Sequence, residues 1–155
     1  MTSEQKPPLT LTELRLTPEM KKAINTATAS SVPISVAYMG EGGEPQISYR
    51  GSLQAYGDTQ LAIWVRKPKG GILDAMARNS RIALLYGNLN PAARGFMTIH
   101  GRGRIDNTET VRRTVYANSP DFERERDPEQ KGVPLIIDLD RVDGFFGGAV
   151  LAMRR

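Results

Sequence analysis

The sequence predicts a mainly β chain with short helices, its strands forming a mostly antiparallel sheet that closes on itself. Three observations carry this expectation. Apolar residues repeat at helical spacing only in brief stretches and alternate with a period of two through the middle of the chain. Glycine and proline, 15 and 10 of 155 residues, punctuate those stretches at turn positions. About six strand-like runs follow one another without the regular strand–helix alternation of a parallel sheet.

Length fits one domain, since domains commonly span roughly 100 to 200 residues, and such a chain buries enough surface to need no staple. With no cysteine and one histidine, disulfides, iron–sulfur clusters, thiolate zinc sites and cysteine nucleophiles are excluded, and no metal centre is expected. The net charge of +4 is mild. It permits nucleic acid and equally suits a small phosphorylated cofactor. No apolar run approaches the roughly 18 residues of a membrane span, and the start MTSEQKPPLT lacks a signal core, so a cytoplasmic setting without membrane contact is expected.

Residues 1–14 carry Pro7 and Pro8 among aperiodic polar groups and are expected to be a flexible arm, leaving 15–155 as the domain. Thr17-Pro18-Glu19 supplies a capping hydroxyl, a helix-initiating proline and an acid for the positive end of the dipole. The helix presents Met20, Ala23, Ile24 and Ala27 on one face and stops before Pro33. Pro33 to Met39 reads as a strand, and the glycine-rich stretch Gly40 to Pro45 as a turn. In the next strand Ile47, Tyr49, Gly51, Leu53 and Ala55 share one face, with Gln46, Ser48, Arg50, Ser52 and Gln54 on the other.

Gly57-Asp58 turns the chain into a strand at Leu61 to Lys67, and Gly70-Gly71 opens a helix burying Ile72, Leu73, Met76 and Ala77. Arg81 to Tyr86 is a strand and Asn88 to Arg94 a loop. Phe96 to Ile105 alternates an inner set at Met97, Ile99, Gly101, Gly103 and Ile105 with an outer polar set that includes His100, Arg102 and Arg104. Asn107 or Thr108 caps a helix reaching Ala117, and Ser119-Pro120 breaks it. The acid–base run Asp121 to Lys131 reads as solvated, and Leu135 to Phe146 as the last long strand.

The strongest chemical signal is Leu61 to Leu73, an apolar strand that passes through Arg66, Lys67 and Lys69 and paired glycines into a helix. Helix-start amides point outward unsatisfied, glycines admit an anion close to the backbone, and the cations add charge-assisted bonds. A solvated basic turn is the alternative for this segment alone. Arg50, on the polar face of the preceding strand beside Ser48 and Ser52, converges on the same end of the sheet, although it could also pair with Glu41 or Glu44.

Taken in order, Pro45, the Arg50 strand, Leu61 to Val65, the turn ending Lys69-Gly70, the helix Ile72 to Arg78, Asn79 to Tyr86, Thr98 to Arg104 and Pro134 to Gly144 resemble the pyridoxamine 5′-phosphate oxidase-like family of flavin-binding split β-barrels. The resemblance spans about residues 17–147. It implies a six-stranded antiparallel split β-barrel acting as a homodimer, with FMN between the subunits. It also implies a flavin-dependent oxidoreductase acting on a small molecule. Arg50 and Lys69 match the phosphate-binding places best. Lys67 stands where the oxidases proper carry a phosphate-binding serine, and Trp64 and Val65 lie along the strand beside the flavin. With Ser52 and Gly70 these form the expected cofactor set, and no catalytic residue is assigned.

Two departures bear on the activity. Phe96 stands where vitamin B6 oxidases carry a glutamine, and their carboxy-terminal arginine motif has no counterpart before Arg155. A role other than B6 oxidation is therefore expected. A related branch binds a deazaflavin, so this cofactor is the alternative to FMN, and a flavin carrier or sensor is the alternative to an enzyme.

Other residues carry weaker chemistry. His100 lacks the elbow of a nucleophilic triad, and Asp138, Asp140 and Asp143 alternate along a strand instead of converging on a metal. Arg102, Arg104, Arg112 and Arg113 motivate a nucleic-acid-binding alternative, although GRGR on a strand is short for that purpose. Phe145, Phe146 and the Ile99 face are the expected dimer contacts.

Overall fold

The computed structural model describes residues 4–155; the first three residues of the expected arm lie outside the described residues. Thr17 caps the first helix, α1 (Pro18–Asn25), its Oγ1 accepting from the Met20 N–H at 3.2 Å, and Met20 and Ile24 are buried. The strands are β1 (Thr10–Glu13), β2 (Ser35–Met39), β3 (Pro45–Tyr49), β4 (Gln54–Ala55), β5 (Gln60–Val65), β6 (Arg81–Asn88), β7 (Gly95–Ile105), β8 (Val133–Phe146) and β9 (Ala149–Arg154). Between them lie α2 (Gly71–Arg78), α3 (Glu109–Asn118) and α4 (Asp121–Arg124).

The fold is mainly β with short helices, and the sheet divides without closing. Its order is β1-β9-β8-β7-β6-β2-β3, with β5 paired to β8 and β4 to β5. The division happens along β8. One edge of β8 holds β7; the other holds β5 from Val133 to Asp138 and then β9 from Arg141 to Phe146. A sheet that exchanges partners in this way wraps around a core while leaving a gap, which is the split-barrel arrangement.

Among the described residues nine strands replace the six expected, for three physical reasons. Thr10–Glu13, within the segment expected to be a flexible arm, is a strand because β9 offers it an open edge for parallel pairing. Beta strand β9 follows Gly147 and Gly148, both at positive φ (58° and 78°), a two-glycine hairpin turn that returns the chain against β8. The run from Gln46 to Ala55 breaks at Arg50–Leu53, where the Leu53 N–H donates to the Arg50 carbonyl at 3.2 Å.

That break also reverses an expected face. Ile47 and Tyr49 are 73% and 67% exposed, whereas Ser52 and Gln54 are buried. The strand β3 sits at the sheet's edge with every residue outside, and after the turn the chain dives inward. In α2 the buried alanine is Ala75, with Ala77 exposed, and Ile105 is exposed at the end of β7.

The core lies inside the wrapped sheet. Leu61, Ile63, Met97, Ile99, Leu135 and Ile137 meet there fully buried, so Ile99 belongs to the core and is not a surface available for dimer contact. A second, smaller core forms on the opposite face of β5 and β8, where α3 covers Ala62, Trp64 and Ile136 with Val111 and Val115.

Candidate functional site

The end of β5 is where sequence and fold converge. Ser52 lies opposite this end, and its Oγ both donates to the Trp64 carbonyl and accepts from the Trp64 N–H, at 3.0 Å each. One hydroxyl thus stands in for a ladder partner before β4 begins, and it fixes β5 just before the chain enters Arg66–Gly70. Gly51 is required for the approach, since a Cβ there would lie 2.6 Å from Glu123 Oε1 and 2.9 Å from the Phe122 ring.

A cleft of about 390 Å³ opens at this junction. It gathers Arg50, Ser52, Trp64, Val65, Lys67, Lys69 and Gly70, the whole set read from the sequence, together with Tyr38, Arg66 and Glu123. Four cations there face one carboxylate. Glu123 is buried and pairs with Arg66 at 3.4 Å. Arg50, Lys67 and Lys69 have no carboxylate within 4.0 Å among the described residues. The Nε of Arg50 is buried and has no hydrogen-bond partner.

Gly70 caps α2 with φ 78°, Gly71 follows at φ 52°, and a Cβ on either would meet nothing within 4 Å. No side chain caps this end, which leaves the first amides of α2 to other acceptors. A buried donor without an acceptor, cations without a carboxylate partner and a helix start without a side-chain cap are all groups that an anion such as a phosphate can pair with. These residues fit the phosphate of a flavin mononucleotide.

Trp64 lines the cleft and has structural partners of its own. Its indole is buried beneath α3, where Nε1 donates to Asp127 Oδ2 at 2.9 Å, the Tyr116 ring packs edge-on at 5.1 Å and the Arg112 guanidinium lies 5.2 Å over the ring. Asp127 also accepts from the Gly132 and Lys131 amides at 2.9 Å each. Burial pushes the Asp127 carboxyl up, but these backbone amides and the indole outweigh it and hold the group below its usual value. The segment Asp121–Lys131 is therefore only partly solvated, with Glu123 and Asp127 both turned inward. Sequence reasoning missed both acids because they are two among several charges in the run and only their contacts with Trp64 and Arg66 distinguish them.

The arginines that motivated nucleic-acid binding are engaged within the chain. Arg102 binds Asp140 at 3.0 Å, Arg104 binds Asp138 at 2.7 Å, Arg113 binds Glu109 at 2.7 Å, and Arg112 donates to the Gly132 and Gln130 carbonyls. Among the described residues no group of three or more His, Asp or Glu could hold a metal ion, and no helix is long and apolar enough to cross a membrane.

The split-barrel fold defines a class, and solved structures share that fold. HupZ of Group A Streptococcus is 19% identical, with a TM-score of 0.63 over 86% of this chain and 97% of that one. A Clostridium acetobutylicum protein related to general stress protein 26 of B. subtilis, described as of the pyridoxinephosphate oxidase family, is 13% identical, with a TM-score of 0.62 over 86% and 95%. An FMN-binding protein from Syntrophomonas wolfei is 8% identical, with a TM-score of 0.62 over 81% and 86%. The chain has the fold of the pyridoxamine 5′-phosphate oxidase-like proteins. No protein-family model matches it, and no curated protein matches its sequence.

Proposed function

We propose that the chain is an FMN-binding oxidoreductase of the split-barrel class, outside vitamin B6 oxidation, and that it works as a cytoplasmic homodimer. The observation that carries the reading is the buried, unpartnered Nε of Arg50 beside Lys67, Lys69 and the uncapped start of α2. The fold shared with an FMN-binding protein supports the choice of ligand.

In this reading Arg50 donates from Nε to the phosphate, Lys67 and Lys69 neutralise its charge, and the Gly71 and Ile72 amides complete the cradle. Glu123 orients the site indirectly, since its pairing with Arg66 keeps a carboxylate from opposing the anion. Ser52 holds β5 in register, and Val65 forms the adjoining wall. When bound, the flavin supplies electron transfer between a donor and a small-molecule acceptor; the protein supplies position and electrostatics.

The dimer reading rests on the uncovered face of the sheet. Opposed residues in an antiparallel ladder share a face, and the register joins Tyr49, Ser35, Leu85 and Thr98 in one row and Phe96 with Phe145 in the next. Tyr49, Leu85, Phe96 and Phe145 are all exposed and make an apolar patch suited to twofold pairing, beside the row Ile47, Ala37, Ala83 and His100 and not over it. Phe146 packs on Tyr86 instead, with ring centroids 6.2 Å apart.

Titration with FMN and with riboflavin tests the phosphate site. Replacing Arg50 or Lys69 by alanine is expected to weaken FMN by about 1.5 to 3 kcal/mol, roughly ten- to a hundredfold, while changing riboflavin much less. Equal losses for both ligands would refute the assignment. Mass spectrometry of the cofactor released on denaturation separates FMN from a deazaflavin, and a stable monomer that retains flavin would refute the dimer.

A further inference from the structure

A second cleft opens on the outer face of the sheet, with a volume of about 780 Å³, within the range of small-molecule sites. Its floor is built by register. Ala37 of β2 lies opposite Ala83 of β6, Ala83 opposite His100 of β7, and His100 opposite Arg141 of β8. Two alanines side by side lower the floor between larger neighbours, and Met39 and Pro45 continue the apolar lining.

The polar groups around this floor fall into two kinds. Some are internally balanced: Asp140 pairs with Arg102 at 3.0 Å and Arg155 at 3.3 Å, and Arg154 pairs with Asp143 at 2.8 Å. Others have no partner. Arg81 and Arg141 have no carboxylate within 4.0 Å among the described residues, and His100 Nδ1 is buried without a hydrogen bond. Burial lowers the His100 pKa and the Arg141 charge lowers it further, against Asp143, so the ring is neutral near pH 7 and contributes a hydrogen bond without charge.

We infer that this cleft binds an organic carboxylate, its apolar body on the Ala37–Ala83 floor, its anionic group met by Arg81 and Arg141, and a polar atom facing His100 Nδ1. An inorganic anion would satisfy the arginines and leave the floor and the imidazole unused. Tyr38 lines both this cleft and the Arg50 cleft. Binding of the acid does not depend on the flavin reading.

Calorimetric titration of the purified full chain with 2-naphthoate tests the inference, with 2-naphthalenemethanol as the uncharged counterpart and inorganic phosphate as the charge without a body. The naphthoate is expected to bind at least about tenfold more tightly than either, and Arg81→Ala or Arg141→Ala to weaken it by about tenfold or more, as loss of a charge-assisted bond requires. His100→Gln, which keeps a hydrogen-bonding group, should retain more affinity than His100→Leu. Phosphate binding as tightly as naphthoate would overturn the inference without any variant, as would naphthoate affinity unchanged in the Arg81→Ala, Arg141→Ala double variant. If wild type ignores naphthoate and the same double variant changes the oligomeric state, the cleft is a subunit contact and the ligand assignment is wrong.

Discussion

Two polar pockets flank the end of β5, and they are built on opposite principles. Beneath α3, Asp127 accepts three hydrogen bonds, from the Trp64 indole and the Lys131 and Gly132 amides, so that each group matches another in the chain. A few residues away, Arg50 Nε is equally buried and has nothing to donate to. The same short segment serves both, since Asp121–Lys131 gives Asp127 to the first and Glu123 to the second. Burying a polar group costs stability unless it is paired. A pocket whose groups are all paired holds the fold together, and the unpaired one is where the proposed reading seats the phosphate.

The largest effect should come from breaking the satisfied pocket. Asp127→Ala leaves the indole and two backbone N–H groups buried without an acceptor and should cost about 3 to 5 kcal/mol of stability. Urea unfolding measures this, and a loss below about 1 kcal/mol would show that water replaces the carboxylate.

The unsatisfied pocket should respond in the opposite sense. Without flavin, Arg50→Ala removes a donor that has no partner, and stability should change by less than about 1 kcal/mol. Thermal melts with and without saturating FMN sharpen the contrast. The stabilisation by FMN should be smaller in the variant, because a weaker ligand shifts the folding equilibrium less. A large loss without FMN would place Arg50 among the structural groups with Asp127.

Acid should separate the pockets next. The folded state holds the Asp127 carboxyl below its ordinary value. Its contribution is therefore complete above the unfolded value and is lost as pH falls through the folded one. Between about pH 5 and pH 3 the wild type should lose more stability than Asp127→Asn, which has no such charge to lose. Equal slopes would mean that other carboxylates, Asp138 with Arg104 foremost, dominate acid unfolding.

The smallest effect serves as the baseline. Arg113 and Glu109 form an exposed i,i+4 pair on α3, and Arg113→Ala should change stability by no more than about 0.5 kcal/mol. Its effect on FMN affinity should be nil, which distinguishes general loss of positive charge from loss of the Arg50 and Lys69 cations.

Local chemistry was legible in the chain itself. The Thr17 cap, the alternation from Met97 to Gly103 and the passage from β5 through Lys69-Gly70 into α2 follow from the amino acids present, because caps, pleats and helix starts are decided within a few residues. That was enough to specify a mainly β fold and to collect the cations around one turn. What only the tertiary structure decided were relations between distant segments. The inward turn of Ser52 required a strand end at Trp64 to bond, the burial of Asp127 required the indole, and the ordering of Thr10–Glu13 required the edge of β9. Ile47 and Tyr49 alternate like core residues, yet they lie outside because β3 ends the sheet and nothing packs over it. A pattern of two states which residues share a face, while which face is buried depends on what the rest of the chain brings to cover it.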